Sequence, residues 1–516
     1  MRRKLFVLTI AGCLTVAACG STNPGLTADR SNAGGSSSAP DTAVPDTAVP
    51  DTASPSTESP STESPSTDVS IPDINGTTPP PVSVEDNPNN AIIDFGANKT
   101  PQPYDDFLQA SLADIQDYWR EAFPATYGQP YVDLAGGIWA SYPDRAEPLP
   151  DGCSGDPAEQ YVAEGNAFYC GNGDYMAYDD FNLVPALTQA FGDSAVGVVF
   201  AHEFGHAIQA RANFYPFNTP VVYLEQQADC FAGAWTAHVA RGESSRLTFG
   251  DDDIKGGLSA MVAVKDPTLG EDVFQGSAHG TAFDRVGAFE NGFKGGADAC
   301  KAMETDPLPL LNLQFSTEDE FNSGGNLPYA DILPQVETDL IRFWTAGVAS
   351  FQAPSVTPYP HDGPFPSCDG IDQSQYPFNA VYCPADNSIS FDEGYAKTLY
   401  KKFGDFSVGY IISNAWSEAV QTQLGSSLEG EPRTLINDCL TGAWTHDTIP
   451  PAGGTIDDTR LYISPGDLDE AVETALLSNA PINGSAMGSA FEKIDYFRAG
   501  VIGGISECNN RISNGG

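Results

Sequence analysis

The segment from residue 196 to residue 209 carries a pattern that predicts metal chemistry. It contains His202-Glu203-x-x-His206 inside a run with apolar helical character. Two histidines four residues apart lie on one face of a helix, where neutral imidazole nitrogens can bind a zinc ion. Glu203 could then act as general base toward a zinc-activated water, while zinc polarises the scissile carbonyl. The motif therefore predicts zinc-assisted hydrolysis, although a bare motif of this kind also occurs by chance on ordinary helices.

A catalytic zinc site needs a third protein ligand, and a second helical pattern at residues 222–235 offers one. Glu225 lies 19 residues after His206, the separation expected when a second helix folds back beneath the first. Asp229, one turn further on the same face, can accept the other ring proton of a ligand histidine and so fix its tautomer. The alternative is that both acids are solvated charges on a surface helix. We predict one zinc ion, held by His202, His206 and Glu225.

A later segment adds one more histidine to the candidate site. His279 could donate a hydrogen bond to the oxyanion of a tetrahedral intermediate, and it joins Glu203 as a predicted catalytic residue. A histidine without a catalytic task is an equally good interpretation. We interpret Arg285 as an ion-pair or packing residue.

The elements that must position these residues occur twice in the sequence. Asn166-Ala-Phe-Tyr-Cys170 recurs as Asn379-Ala-Val-Tyr-Cys383, and Gly233-Ala-Trp235 recurs as Gly442-Ala-Trp444. Four such blocks keep their order, and their offset drifts only from 213 to 208 residues. Chance does not produce such a series, so we predict a tandem duplication, with a first copy at residues 101–316 and a second copy at residues 317–516.

The second copy lacks the proposed ligands and the proposed base together. The local offsets pair His202 with Asn414, Glu203 with Ala415, His206 with Glu418, Glu225 with Thr434 and His279 with Met487. Asp229 is retained as Asp438, so part of its role is structural. We expect the zinc ion only in the first copy, and a degenerate second copy that packs against or gates the first.

The cysteine count fits an exported protein with disulfides. Of ten cysteines, two lie near the N-terminus and the others form two sets of four: Cys153, Cys170, Cys230 and Cys300, then Cys368, Cys383, Cys439 and Cys508. An even, repeated set predicts two disulfides per copy, with three connectivities open in each. We favour Cys153–Cys170 and Cys230–Cys300, because the first pair is close in sequence and flanks one strand. A cysteine zinc site is the alternative, but no Cys-x2-Cys pair supports it.

The N-terminus has the pattern of a bacterial lipoprotein signal peptide over residues 1–19. Basic residues precede an apolar run too short to span a bilayer, and Val16-Ala-Ala-Cys19-Gly20 fits a lipobox in which Cys19 is lipidated. An ordinary signal peptide cleaved elsewhere is the alternative. Residues 20–100 are rich in Ser, Thr, Pro and Asp and predict a disordered tether. We expect an extracytoplasmic body, lipid-anchored to the bacterial cell membrane.

The overall composition excludes one class of partner. Lys and Arg number 24 against 69 Asp and Glu, which gives a formal net charge of −45. A chain this acidic is a poor ligand for nucleic acid. Its hydrophobic fraction of 41% is sufficient for real cores.

The motifs together resemble those of the bacterial neutral zinc metallopeptidases. The matching residues are Phe168-Tyr-Cys170, His202 to His206, Glu225 to Trp235 and His279 to Arg285. The resemblance covers roughly residues 105–315 and, more faintly, the second copy. It implies a zincin-like α+β fold, mainly helical with small β-sheets, in which Glu225 is the third ligand in the manner of gluzincins. It also implies that the strand near Tyr175 to Asp179 is the edge to which an extended peptide adds.

Taken together, these patterns predict a membrane-anchored extracytoplasmic zinc metalloendopeptidase acting on protein or peptide substrates. One alternative is a non-catalytic cell-surface binding protein that retains a zinc site. Another is zinc-dependent hydrolysis of a non-peptide bond, such as a cell-wall amide, which differs only in the substrate.

Overall fold

The computed structural model describes most of the chain after residue 91. The described residues are 92–153, 163–214, 220–265, 279–311, 313–315, 317–368, 380–451, 457, 459–477 and 489–514. The predicted signal peptide, its Cys19 and most of the predicted tether lie outside these ranges. Within them, no helix combines the length and the apolar character that a membrane span requires.

The N-terminal half, which is the described part up to residue 315, combines six helices with one four-stranded sheet. Its elements in chain order are β1 (Ile93–Asp94), α1 (Asp105–Tyr127), β2 (Gly137–Ser141), β3 (Ala167–Cys170), β4 (Tyr175–Asp179), α2 (Leu183–Phe191), α3 (Asp193–Ala212), α4 (Val221–Ala240), α5 (Asp251–Ala263) and α6 (Ala282–Ala302). The strand order is β1-β2-β4-β3, with β3 antiparallel to β4 and the other pairs parallel.

The C-terminal half, described from residue 317 onward, repeats this plan with a smaller sheet. Its elements are α7 (Glu318–Ser323), α8 (Tyr329–Gly347), β5 (Ser355–Tyr359), β6 (Val381–Cys383), β7 (Ser388–Asp392), α9 (Glu393–Lys402), α10 (Asp405–Gln423), α11 (Gly430–Asp447), α12 (Asp467–Leu477) and α13 (Ala490–Ser513). Strand β7 lies between β5, which is parallel to it, and β6, which is antiparallel. The fold is therefore α+β and mainly helical, as the sequence predicts.

The two halves also agree in their closest packing contacts. In each half a glycine lets two helices meet at their backbones: a Cβ on Gly233 would lie 2.0 Å from the carbonyl oxygen of Phe289, and a Cβ on Gly442 would lie 2.0 Å from that of Phe497. In each half a buried tryptophan donates to an aspartate, Trp235 to Asp114 and Trp444 to Asp339. These parallels support the predicted duplication, whose ancestry stays a prediction.

The structure forms four disulfides with the connectivity favoured from the sequence. They are Cys153–Cys170, Cys230–Cys300, Cys368–Cys383 and Cys439–Cys508. The second of these ties α4 to α6. A disulfide stabilises a fold in large part because it restricts the unfolded chain.

Two expectations about the strands differ from the structure. Strand β1 lies within the segment predicted as a tether, and its pairing with β2 brings Ile93 and Asp94 into the folded body. The strand Tyr175–Asp179 is β4, which lies between β2 and β3, so the prediction that it is a free edge is wrong. Among the described residues, the edge on that side is β3. A sequence shows that two strands are adjacent along the chain, but not which of them has a further neighbour in the sheet.

A single cluster of buried apolar side chains extends through both halves. At their boundary the rings of Phe283 on α6 and Phe497 on α13 meet edge to face, with centroids 6.4 Å apart. Phe293 and Phe491 also contact each other, with centroids 4.6 Å apart. The halves thus share a core through α6 and α13.

Candidate metal centre

Helix α3 presents the two motif histidines from the interior of the N-terminal half. The helix is buried on nearly every side, which explains its apolar character all round rather than along one stripe. His202 and His206 lie one turn apart, with ring centroids 4.9 Å apart and perpendicular planes. Both imidazoles therefore face the same point beside α4.

Helix α4 places the carboxylate of Glu225 opposite both histidines. Its Oε2 lies 3.3 Å from Nε2 of His202, and its Oε1 lies 3.5 Å from Nε2 of His206. The helices approach this closely at Gly205, where a Cβ would lie 2.7 Å from the Cα of Ala228.

This set of donor atoms fits a zinc ion. Ligand atoms at about 2.0–2.1 Å from a tetrahedral zinc are about 3.3 Å from one another. The Nε2 to carboxylate distances at the site match that spacing, and one ligand atom from each of the three residues lies within 4.8 Å of the others. Two imidazoles and one carboxylate leave a fourth position for water or substrate, as in catalytic zinc sites.

The other ring nitrogen of His202 is fixed by Asp229. Its Nδ1 lies 2.6 Å from Oδ1 of Asp229, so Nε2 faces Glu225. Arg285 on α6 holds the same carboxylate with a fork: Nε donates to Oδ2 and Nη2 to Oδ1, both at 2.9 Å. Burial alone would raise the pKa of Asp229, but Arg285 and His202 outweigh it and hold that pKa below its ordinary value.

His206 has a corresponding partner that the sequence analysis did not single out. Its Nδ1 lies 3.0 Å from Oε1 of Gln209, whose amide donates to the carbonyl of Leu224 at 2.7 Å. Gln209 therefore links the ligand histidine to the first turn of α4. The matching Gln421 bonds from α10 to α11 in the same way, donating to the carbonyl of Arg433 at 2.8 Å. That recurrence was a signal by which Gln209 could have been found.

The charges of the three ligands support one another. Burial lowers the pKa of His202, but Asp229, Glu225 and Glu203 outweigh it and raise that pKa to about 10. Burial raises the pKa of Glu225, but the two histidines hold it well below its ordinary value. Because an imidazole must be neutral to bind a metal ion, metal binding to this set is expected to release protons.

The two predicted catalytic residues line the same cavity as two of the three proposed ligands, His202 and Glu225. Glu203 and His279 are in its wall, together with His202, Glu225 and Arg285. The apolar part of the wall comes from α2, α3, α5 and the residue after α5, through Leu187, Val199, Met261 and Val264 among others. Gly165, Asn166 and Ala167 bring the start of β3 to the rim.

The matching positions of the C-terminal half form bonds within the protein instead. Asn414, which corresponds to His202, donates to Oδ1 of Asp438 at 2.8 Å. Glu418, which corresponds to His206, pairs with Nη2 of Arg433 at 2.6 Å. Helices α10 and α11 are thus joined by direct hydrogen bonds and an ion pair between their side chains.

Sequence comparisons relate this site to one protein family. The sequence model described as "Putative neutral zinc metallopeptidase" matches residues 86–303, which include the three ligands, Glu203, His279 and Arg285. The C-terminal half lies outside that match.

Two relatives illustrate the extent of the similarity. The chain is 30% identical over 217 residues to the uncharacterized protein YpfJ of Escherichia coli K12. The aligned region covers 37% of this chain and 69% of YpfJ. It is 30% identical over 205 residues to the uncharacterized protein Rv2575 of Mycobacterium tuberculosis H37Rv, which covers 35% of this chain and 64% of that protein. No solved structure matches the chain.

Proposed function

The chain belongs to the neutral zinc metallopeptidase family, and from this membership we propose that it is an endopeptidase with one zinc ion bound by His202, His206 and Glu225. The observation that carries the proposal is the convergence of two imidazole nitrogens on one buried carboxylate at 3.3 and 3.5 Å. A bound zinc ion supplies Lewis-acid polarisation of the scissile carbonyl and acidifies the attacking water.

Glu203 is the residue that we propose moves the protons. It follows His202 directly on α3 and lines the site cavity, where its carboxylate can take a proton from the attacking water and deliver it to the leaving amine. His279 lines the same cavity and is our proposed hydrogen-bond donor to the oxyanion.

Strand β3 is the surface on which we propose that the substrate binds. It is the edge of the sheet beside the cavity, and its backbone can pair with an extended peptide. The apolar wall at Leu187, Val199 and Met261 then accepts an apolar side chain of that peptide. Such pairing recognises the backbone of the substrate more than its side chains, so it suits a peptidase of broad specificity.

We further propose that the enzyme works outside the cytoplasm, held to the membrane through Cys19. The support is the signal-peptide pattern of residues 1–19 and the four disulfides, which are typical of exported proteins.

Substitution of Glu203 by Gln tests the mechanism. The mature chain should bind about one zinc ion and cleave a denatured protein, and a chelator should abolish cleavage. The Glu203→Gln variant should keep its zinc and lose at least about 10²-fold in kcat, because the amide cannot accept the proton. The control is the same substitution in the C-terminal half, Glu418→Gln, at the position that corresponds to His206, and it should keep full activity. Cleavage by Glu203→Gln at the wild-type rate contradicts the mechanism, and a zinc-loaded wild type that cleaves no peptide of a broad library favours a binding function.

A further inference from the structure

The C-terminal half holds α6 at the turn that leads to the metal site. The backbone nitrogen of Phe283, in the first turn of α6, donates to Oδ1 of Asp469 on α12 at 3.0 Å. First-turn amides have no partner within their own helix, so this carboxylate from the other half acts as a cap. The carbonyl of Phe283 accepts a hydrogen bond from Arg498 of α13, whose guanidinium lies 4.1 Å from the centroid of the Phe283 ring.

The same aspartate reaches a second point in the N-terminal half. Oδ2 of Asp469 lies 3.4 Å from Nζ of Lys265, and Oε1 of Glu473 lies 3.1 Å from that nitrogen. Lys265 follows Val264, whose carbonyl accepts a hydrogen bond from Nη1 of Arg285 at 3.0 Å. Asp469 therefore ties together the start of α6 and the segment after α5.

The start of α6 and the segment after α5 are also the two places that position Arg285. Arg285 lies two residues after Phe283 on α6. Its Nη1 donates to the carbonyl of Val264, the residue before Lys265. Its fork holds Asp229, which in turn holds the Nδ1 of His202 at 2.6 Å. A continuous path thus crosses the boundary between the halves: Asp469 accepts a hydrogen bond from the backbone of Phe283, the first turn of α6 connects Phe283 to Arg285, and hydrogen bonds lead on through Asp229 to His202.

We propose that Asp469 is a positioning residue for the zinc site, acting through Arg285 and Asp229 on His202. The proposal rests on the proposed function only for the identity of the metal site. It gives the C-terminal half a role in the chemistry although the matching positions there carry none of the ligands. Asp469 is itself buried, with 4% of its surface exposed, so solvent does not compete for its two contacts.

Zinc affinity is the property that tests the proposal directly. In Asp469→Ala both contacts are lost, and the zinc dissociation constant, measured by competition with a chromophoric chelator, should rise about tenfold, the lower end of the effect of removing a direct hydrogen-bond partner of a metal ligand. The kcat should fall while KM changes little, because substrate contacts are untouched. In Asp469→Asn the side chain can still accept from Phe283 while the charge facing Lys265 is gone, so an intermediate effect is expected.

A matched control separates positioning from general stability. Asp495 of α13 also joins the halves, through its ion pair with Lys294 of α6, nine residues after Arg285, and it pairs with Arg511 within α13. The Asp495→Ala variant should lower the melting temperature about as much as Asp469→Ala and leave zinc affinity unchanged. If both variants weaken zinc binding equally, the effect is general and the proposal fails.

A double-mutant cycle identifies the route. If Asp469 acts through Arg285, then Asp469→Ala should change zinc affinity by less than twofold in an Arg285→Lys background, because the fork is already lost. Full additivity of the two effects would overturn the proposal. So would wild-type zinc affinity in a folded Asp469→Ala variant, or a wild type that binds no zinc. A wild type that binds zinc without peptidase activity contradicts the proposed function alone, since the affinity measurements remain decisive.

Discussion

At the scale of single residues, His202 is held between two carboxylates with different tasks. Glu225 faces its Nε2, where the proposed zinc ion would bind, and Asp229 faces its Nδ1. A carboxylate at Nδ1 fixes the tautomer and makes the other nitrogen a stronger ligand. Asp229 is also an ion-pair partner of the buried Arg285, so removal of its charge removes a buried ion pair.

Substitution of Asp229 by Asn should therefore weaken the site and the fold together. We expect a 10–100-fold loss of zinc affinity, from the weaker hydrogen bond to His202, and about 3 kcal/mol less stability, from the loss of the buried ion pair with Arg285. Isothermal titration with zinc and chemical denaturation measure the two effects.

The control for this variant is Asp438→Asn in the C-terminal half. It removes the matching carboxylate, which accepts from Tyr410 and Asn414. It should cost stability and leave zinc affinity unchanged. Unaltered zinc affinity in Asp229→Asn would show that the contact of Asp229 with His202 is only structural.

Much of the candidate site could be predicted at this scale because its signals are local. The spacing within the motif and the 19-residue step to Glu225 follow from helix geometry, and the structure brings these residues together. The fork of Arg285 could be anticipated only as an ion pair, since its partner lies 56 residues away in sequence. The contact of Phe283 with Asp469 spans 186 residues, and no local pattern indicates it.

At the scale of elements, each half depends on one helix pair that meets at glycines. The approach is mutual: in the N-terminal pair, a Cβ on Gly292 of α6 would lie 1.8 Å from the carbonyl oxygen of Cys230 on α4. In the C-terminal pair, a Cβ on Gly500 of α13 would lie 2.0 Å from that of Cys439 on α11. A methyl group added at any of these glycines must push the two helices apart, since a backbone carbonyl within a helix cannot move aside.

Alanine at Gly233 or at Gly442 should thus have the same effect on stability and different effects on the metal site. Both variants should lose about 1–3 kcal/mol of unfolding free energy, because each overpacks an equivalent contact. Only Gly233→Ala should also weaken zinc binding, because α4 carries Glu225 and Asp229. Thermal unfolding and zinc titration of the two variants check this, and equal zinc affinity in both would contradict it.

The order of the strands is where prediction from sequence failed at this scale. Strands β3 and β4 are neighbours in sequence and both read as buried strands, with Phe168 and Tyr175 among their apolar residues. The neighbour that covers the far side of β4 is β2, which ends 34 residues earlier, at Ser141. Long-range pairing of this kind leaves no signal in the strand itself.

At the scale of the whole molecule, some of the many acidic side chains are buried together. Asp405, Asp467 and Glu470 are all buried, and one carboxylate oxygen from each lies within 4.8 Å of the others. Burial raises the pKa of Asp405 to about 6. Burial and repulsion by Asp405 raise the pKa values of Asp467 and Glu470 well above their ordinary values. Glu473 raises the pKa of Glu470 further, and Lys265 lowers it.

These pKa values predict that stability falls as pH rises. An acid whose pKa is higher in the folded chain binds more protons there, so its contribution to stability is present below the unfolded pKa, near 4, and is lost as pH rises through the folded value. Glu470→Gln removes one of the charges, and its amide oxygen can still accept from the backbone of Phe406. We expect the variant to melt about 2–4 °C above wild type at pH 8, with little difference at pH 5.

Differential scanning calorimetry at the two pH values measures this, with Glu393→Gln as the control at a partly exposed glutamate on α9. The control should change the melting temperature little at either pH. A Glu470→Gln variant that is destabilised equally at pH 5 and pH 8 would contradict the assignment of raised pKa values to this group.

The Cys230–Cys300 bond has a consequence for the proposed peptidase activity, because one copy of the chain could then cleave another. It closes a covalent ring of the 70-residue segment that leads from α4 through α5 to α6. A single cut of the backbone between the two cysteines opens this ring without separating the pieces. A cut before Arg285 would place it on a different piece from Asp229, yet the bond would still join the two. If the proposed peptidase activity cuts the chain there, the product is still one molecule that carries every residue of the candidate metal site.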